Sequence, residues 1–299
     1  MNYDSPAEIT AVLKEEGLAL KKRWGQNFLI NRGAREKIID LIAPEKSEKL
    51  WEVGPGLGCL TTTLLPRVKA LTVFEIDRGL IRYLEKNYGG RKKLTIVQGD
   101  VLKSYLRTAA EAGTPDKVVG NLPYSTASGL LASFAENEFT SPRMVFTVQK
   151  ELALRMTAAP GSKNYSSFSV LCQYAFKTRI CFELRPGSFF PAPEVLSVVI
   201  ELQPAAHDVL PEDRRLFLLL VRSLFASRRK TLRNNLLTGN MLSAYKKGLL
   251  LEATSLEGID PGIRSEHLPP EAFIRLSNRI LLLHRQEHLH KQDHLHRQS

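Results

Sequence analysis

From residue 49 to about 150, short apolar runs alternate with segments of helical period, and no other feature constrains the chain so tightly. The runs are Leu50 to Val53, Ala70 to Ile76, Leu94 to Val97, Lys117 to Val119 and Met144 to Val148, each bounded by Gly, Pro or Asp. All but the Ala70 run are too short for helices, and several are rich in β-branched residues, which suit a pleated, buried surface. Such strands joined by helical crossovers build a parallel sheet. Two further strand candidates, Arg179 to Leu184 and Val195 to Leu202, are linked through Pro186, Gly187, Pro191 and Pro193, which predicts a hairpin-like antiparallel edge. The expectation is an α/β chain with a seven-stranded, mostly parallel sheet.

The flanks read differently. Ser5-Pro6-Ala7-Glu8 has the form of a capping box with Pro at the first helical position, followed by Ile9, Val12 and Leu13 at helical spacing and by Gly17 as a stop. From Pro211 onward only helical periodicity is found, as in Leu216, Leu219, Leu220 and Leu224. We therefore expect a helical extension over 1–20, a main domain over 21–206, a helical domain over 207–284 and a polar, His-rich tail over 285–299. Composition favours a frayed, solvated tail over a metal site, although Glu287 to His290 and Asp293 to His296 repeat an acid-His-Leu-His pattern.

Composition narrows the partners. The net charge of +11, from 42 Lys plus Arg against 31 Asp plus Glu, favours a polyanion. No apolar run is long enough to span a bilayer, and the acidic first twenty residues do not read as a signal peptide. Cys59, Cys172 and Cys181 have neither metal-site nor disulfide-framework spacing, as suits a reducing cytoplasm.

The strand ends carry the chemistry. Glu52-Val53-Gly54-Pro55-Gly56-Leu57-Gly58 follows the first run and opens a helical segment, where glycines admit a ligand close to backbone N–H groups. Its Gly-x-Gly-x-Gly spacing departs from the dinucleotide Gly-x-Gly-x-x-Gly pattern and favours S-adenosylmethionine, which has no pyrophosphate. Glu75, ending the second strand, is suited to accept both ribose hydroxyls. Asp100, after Gly99 at the third, is suited to accept from the exocyclic amine of the cofactor's adenine, since ligands of such folds bind at the carboxyl ends of strands. The same acids also suit capping of the following helices.

The fourth strand runs into Gly120-Asn121-Leu122-Pro123-Tyr124. The exocyclic amine of a purine is a poor nucleophile because its lone pair is delocalised into the ring. An Asn oxygen and the carbonyl preceding Pro123 can accept its two N–H bonds and turn that lone pair toward an electrophilic methyl, with no strong base. Pro123 fixes the backbone, and Tyr124 offers a face for the base to stack on.

With these residues in place the sequence resembles the KsgA-type small-subunit (16S) ribosomal RNA adenine N6,N6-dimethyltransferases, relatives of the Erm enzymes of large-subunit RNA. The resemblance runs from Lys21 to about His284. It includes Gly25-Gln26-Asn27-Phe28-Leu29, the segments above, Gln149-Lys150-Glu151, Pro160 to Tyr165 and Phe189-Phe190-Pro191-Ala192-Pro193. It implies a Rossmann-like class I methyltransferase domain with a small all-α C-terminal domain. It also implies S-adenosylmethionine-dependent dimethylation of two adjacent adenosines in the 3′-terminal hairpin loop of 16S rRNA, during small-subunit biogenesis. By match, Asn27, Leu29, Gly54, Gly56, Glu75, Asp100 and Asn121 would line the cofactor pocket, while Phe189 would join Tyr124 in sandwiching a flipped adenine. Ser125 and Ala192 depart from the usual pattern without removing an expected contact.

Ser227 to Leu236 also resembles the small-subunit family, and its Arg228, Arg229, Lys230 and Arg233 are expected to contact RNA phosphates. Lys21-Lys22-Arg23 would flank the active-site mouth, and Gly161-Ser162-Lys163 would form a mobile loop near substrate. An Erm-type activity is disfavoured by the presence of the Arg228 to Asn235 and Ile263-Arg264-Ser265-Glu266 patterns. A non-catalytic factor is disfavoured by the intact Asn121 and glycines. The expected partner is small-subunit rRNA in a pre-ribosomal particle, met by a cytoplasmic monomer with no metal.

Overall fold

Strand burial decides strand position. The computed structural model describes residues 1–19, 26–238 and 242–296, with side chains through residue 289. Lys21-Lys22-Arg23 lies outside the described residues. Among the described residues nine strands form: β1 (Phe28–Leu29), β2 (Lys49–Val53), β3 (Ala70–Glu75), β4 (Leu94–Gln98), β5 (Lys117–Asn121), β6 (Arg143–Gln149), β7 (Phe176–Leu184), β8 (Phe189–Phe190) and β9 (Ser197–Pro204). Seven of them form one sheet in the order β4-β3-β2-β5-β6-β9-β7. Pairing is parallel from β4 to β6, and β9 runs antiparallel to both β6 and β7. The expected hairpin is present, but its later strand is the inner one. Ser197 to Leu202 is almost continuously buried and takes the two-sided position, whereas β7 is largely accessible and remains at the edge.

Order reverses at β2, so β3 and β5 flank it and a crevice opens at their carboxyl ends. Alternation along the strands fills both faces. Leu50, Leu71, Val73, Val119 and Val145 join a core with Ile38, Ile39 and Ile42 of α2 (Arg32–Ile42). Trp51 contacts Phe74 and Phe139, and Phe139 contacts Phe134 and Tyr105, with ring centroids 4.6–5.4 Å apart.

Helix starts follow the sequence signals. In α1 (Pro6–Glu15), Ser5 Oγ accepts from Glu8 N at 3.3 Å, while the Glu8 carboxylate reaches Asn2 N at 2.8 Å instead of the cap's own N–H. Short α3 (Thr61–Leu64) follows the glycine loop. Asp77 caps α4 (Arg78–Tyr88) and Asp100 caps α5 (Val101–Ala112). The crossover helix α6 (Tyr124–Glu136) starts directly at the Asn-Leu-Pro-Tyr segment, and α7 (Lys150–Met156) follows β6.

The chain divides into two compact units. One comprises Met1–Leu154 with Ala175–Pro204, and the other Arg155–Tyr174 with Ala205 onward. Residues 155–174, expected within the main domain, thus cluster with the helical unit, and 1–19 cluster with the sheet. The helical unit holds α8 (Ser167–Ala175, all but its last residue), α9 (Arg214–Leu224), α10 (Leu232–Thr238), α11 (Lys247–Leu256) and α12 (Pro270–His296). The tail expected to fray is helical through His296 as the end of α12. Among the described residues there is no group of three or more His, Cys, Asp or Glu placed to hold a metal, and no helix is long and apolar enough to cross a membrane.

The segment Gly161-Ser162-Lys163, expected to be a mobile substrate loop, is tied down within the helical unit. Gly161 N donates to Glu266 O at 2.6 Å, the Lys163 carbonyl accepts from Arg228, and Tyr165 Oη donates to Leu268 O at 2.8 Å.

Candidate active site

At the carboxyl ends of β2, β3, β4 and β5 a cleft opens, enclosing about 940 Å³ with its open mouth included. Every residue expected at the cofactor lines it: Asn27, Leu29, Gly54, Gly56, Glu75, Asp100 and Asn121. Strand β1 forms one wall by pairing with β8, Phe28 opposite Phe190 and Leu29 opposite Phe189. Sequence reading did not find this two-stranded sheet.

Glu75 is preset by backbone. Its Oε1 accepts from Ile76 N and Asp77 N, each at 2.9 Å, and its Oε2 accepts from Gly56 N at 3.2 Å. A carboxylate offers about four acceptor sites, so one remains for a ribose hydroxyl. Burial pushes its pKa up to about 7 against these opposing hydrogen bonds. Asp100 does cap α5, through Oδ1 to Leu102 N at 3.0 Å, yet Oδ2 has no partner among the described residues, and Asp100 lines the cleft. Capping therefore occupies one oxygen and leaves the other available as an acceptor in the cleft. Ile76 and Val101, each following an acidic strand end, add apolar walls suited to a planar ring.

Gly54 brings the loop against the Asn121–Tyr124 segment. Its φ is +69°, and a Cβ there would stand 3.5 Å from Asn121 O and 3.9 Å from Pro123 Cδ. A side chain would be strained and would fill the space between loop and segment. Glycine loop, free acceptors and apolar walls together fit an adenosine-bearing cofactor.

Asn121 ends β5, with its Nδ2 donating to Asn27 O at 2.7 Å. A carbonyl only accepts, so this bond fixes which end of the amide is which and leaves Oδ1 as an acceptor. Leu122 is buried, its N–H donating to Thr147 O at 3.1 Å, and its own carbonyl accepts no bond among the described residues. Pro123 holds φ −59° at the N-cap of α6. Half-buried Tyr124 has its hydroxyl 2.5 Å from Ser197 Oγ. Ser197 was not singled out by sequence, since a lone serine at the start of a strand carries no signal.

The expected stacking role of Phe189 meets a correction. Its ring is 2% exposed, belongs to the core cluster of Leu29, Ile38 and Val199, and does not line the cleft. A two-residue strand alternates its faces, and here Phe189 takes the core face while Phe190 is only partly buried.

Sequence reading also missed buried Glu52 as a wall residue. Thr61 Oγ1 donates to Glu52 Oε2 at 2.6 Å, and burial, together with nearby Glu75, raises its pKa to about 7. The acid's place two residues before Gly54 was the available signal. Cys59 also lines the cleft, where burial pushes its thiol up to about 12 and leaves it inert.

The basic segment sits in the helical unit. Arg229, Lys230 and Arg233 are exposed at the start of α10 and in the turn before it. Arg228, expected to meet phosphate, is instead engaged: its Nε and Nη2 reach Glu266 Oε2 at 3.1 and 2.9 Å. Asn235 Nδ2 donates to Leu224 O at 2.8 Å and Ser227 O at 3.0 Å, closing the end of α9.

The reversed strand order, the glycine loop and the two acidic strand ends define a class I methyltransferase. Comparison with known proteins narrows the class, since the family described as ribosomal RNA adenine dimethylase matches residues 17–281. The chain belongs to that family. It is 41% identical to the ribosomal RNA small subunit methyltransferase A of Treponema denticola over 283 residues, covering 93% of this chain and 96% of the relative. The protein of that name from Borreliella afzelii is 40% identical over 284 residues, 95% of this chain and 97% of the relative. Among solved structures, a dimethyladenosine transferase from Plasmodium falciparum superposes with a TM-score of 0.65 at 26% identity, covering 82% of this chain and 94% of that one. The 23S rRNA methyltransferase ErmE, at a TM-score of 0.60 and 24% identity over 85% of this chain and 99% of its own, shares the fold.

Proposed function

We propose that this chain dimethylates N6 of two adjacent adenosines in the 3′-terminal hairpin loop of 16S rRNA, using S-adenosylmethionine. The reading is supported by similarity over 93–95% of the chain to relatives named as small-subunit methyltransferases. One structural observation carries the chemistry: the Asn121 amide is held by Asn27 O so that Oδ1 is the acceptor, in the cleft that also contains Glu75.

When bound, S-adenosylmethionine supplies an electrophilic methyl on a sulfonium. Glu75 and Asp100 would hold its adenosine. Asn121 Oδ1 and the Leu122 carbonyl accept the two N–H bonds of the target amine and aim its lone pair out of the ring plane. The cofactor would supply the methyl, its sulfur leaving as a thioether, and the amine held by Asn121 Oδ1 and the Leu122 carbonyl would then shed a proton to water. Tyr124 gives the flipped base a stacking face worth about 1–3 kcal/mol, held in place through Ser197. Exposed Arg229, Lys230 and Arg233 neutralise RNA phosphates, and Arg228 shapes the turn that presents them. The setting is a pre-ribosomal particle in the cytoplasm, with the enzyme acting as a monomer.

The test offers labelled S-adenosylmethionine with either under-methylated small subunits or large-subunit RNA, followed by nucleoside analysis for N6,N6-dimethyladenosine. Dimethyladenosine in the small subunit is the expected product. Label in large-subunit RNA alone would overturn the target.

A further inference from the structure

The first residues of the chain reach two walls of the cofactor cleft. Tyr3 Oη lies 3.1 Å from the carbonyl of Leu57, within the glycine loop, and 2.8 Å from Tyr88 Oη. Tyr3 has one proton and the carbonyl can only accept, so Tyr3 donates to Leu57 and receives from Tyr88. Tyr88 in turn fills the space beside Gly58, where φ is +87° and a Cβ would stand 2.9 Å from the tyrosine ring. One residue before Leu57, Gly56 N donates to Glu75 Oε2. The Tyr3 hydroxyl thus connects through the loop to the proposed ribose acceptor.

The second wall is reached by Asp4. Its carboxylate pairs with Arg35 Nη2, while Arg35 Nη1 donates to Leu29 O at 3.0 Å on β1. Between these two grips, Ile9 and Leu13 of α1 pack in one cluster with Leu57, Leu80 and Phe28. Leu80 and Phe28 also line the cleft.

We propose that Tyr3 and Asp4 are positioning residues for the cofactor, a clamp that holds the glycine loop and β1 at the spacing S-adenosylmethionine requires. The proposal rests on the assignment of the cleft to that cofactor. Because the clamp touches neither the Asn121 segment nor the basic turn, it acts on cofactor affinity and not on RNA affinity.

The test compares wild type, Tyr3→Phe, which keeps the ring and loses both hydroxyl bonds, and the double variant Tyr3→Phe/Asp4→Asn. Affinities for S-adenosylmethionine and for RNA are measured separately by calorimetry, with hydrogen exchange of the Gly54–Gly58 amides followed in the free protein. The double variant should bind the cofactor about tenfold more weakly, the loss of roughly one net hydrogen bond, with faster loop exchange and unchanged RNA affinity. Lys86→Ala, which breaks only the exposed pair with Glu16 at 2.7 Å, should match wild type. Unchanged cofactor affinity and loop exchange in the double variant would overturn the clamp, as would parallel losses for RNA and cofactor accompanied by a fallen Tm. Failure of the wild type to bind S-adenosylmethionine would overturn the cofactor assignment itself and the clamp with it.

Discussion

Arg228 and Glu266, 38 positions apart, are joined by a forked contact from Nε and Nη2 to one carboxylate oxygen, while Nη1 and Nη2 both reach the Lys163 carbonyl at 3.1 Å. Alongside, Leu232 N donates to Ile263 O at 2.7 Å and Arg233 N to Pro261 O at 2.9 Å, so the first turn of α10 takes its acceptors from the 261–266 segment. The basic segment and the Ile263 to Glu266 pattern are therefore one structural unit.

This division of labour separates neighbouring arginines. Arg228→Ala should lower stability by about 1 kcal/mol, a small figure because the pair is partly exposed. Arg229→Ala should leave stability unchanged and reduce the slope of log affinity for RNA against log salt by about 1. Urea denaturation and salt-dependent RNA binding check both, and equal salt slopes for the two variants would contradict the assignment.

Asn121→Ala should reduce methyl transfer by a factor on the order of 100 or more, as for loss of a group acting in the transition state. RNA affinity should stay within about twofold, since phosphate contacts dominate it. Single-turnover transfer and filter binding separate the two quantities. Substantial transfer by this variant would remove Asn121 from the chemistry.

Phe189 gives a choice between core and stacking roles. Phe189→Ala should destabilise by about 3–5 kcal/mol, and Phe189→Leu by much less because it keeps apolar volume. A folded Phe189→Leu protein with near-normal kcat supports the core role. The same protein with normal Tm and a loss of more than about a hundredfold in kcat would restore the base-stacking role and require the ring to leave its present packing.

Cofactor binding should depend on pH. Glu75 and Glu52 have folded pKa values raised to about 7 by burial, so near neutrality each is partly protonated in the free protein. A ribose hydroxyl would donate to the ionised Glu75, and the cofactor's sulfonium favours the ionised forms, so binding should release protons near pH 7 and strengthen as pH rises from 6 to 8 (roughly one unit either side of that value). For folding the sign is opposite. A raised carboxyl pKa contributes stability fully present below the unfolded value and lost as pH rises toward 7. Calorimetry in buffers of different ionisation enthalpy reads the proton count, and proton uptake on binding would contradict the prediction. In Glu75→Gln the remaining release should come from Glu52 alone.

Strand existence was legible because a buried parallel strand needs an unbroken apolar run, and the runs beginning at Leu50 and Met144 fall where β2 and β6 do. The acidic lining of the cleft was legible because Glu75 and Asp100 sit at strand ends next to turn residues. Strand β8 was not, since two residues show no period, and the motif match assigned Phe189 to the base where the structure packs it in the core. The engagement of Arg228 was hidden for another reason: within a run of cations, only tertiary structure selects the one that meets a distant carboxylate. The tail misled because its polar, His-rich composition is compatible with a solvated helix as well as with a frayed end. Tyr3 left no trace at all, because its value lies in a carbonyl 54 positions away.

The pairing of β1 with β8 also bears on when the enzyme comes alive during synthesis. Residues 28–29 leave the ribosome early, but their strand partner, residues 189–190, must be made before that wall can close. Asn121 takes its orientation from Asn27, immediately before β1. A nascent chain therefore carries Asn27 and Asn121 well before the strand that pairs with β1 exists, and this wall of the cleft is completed only once residue 190 has been made.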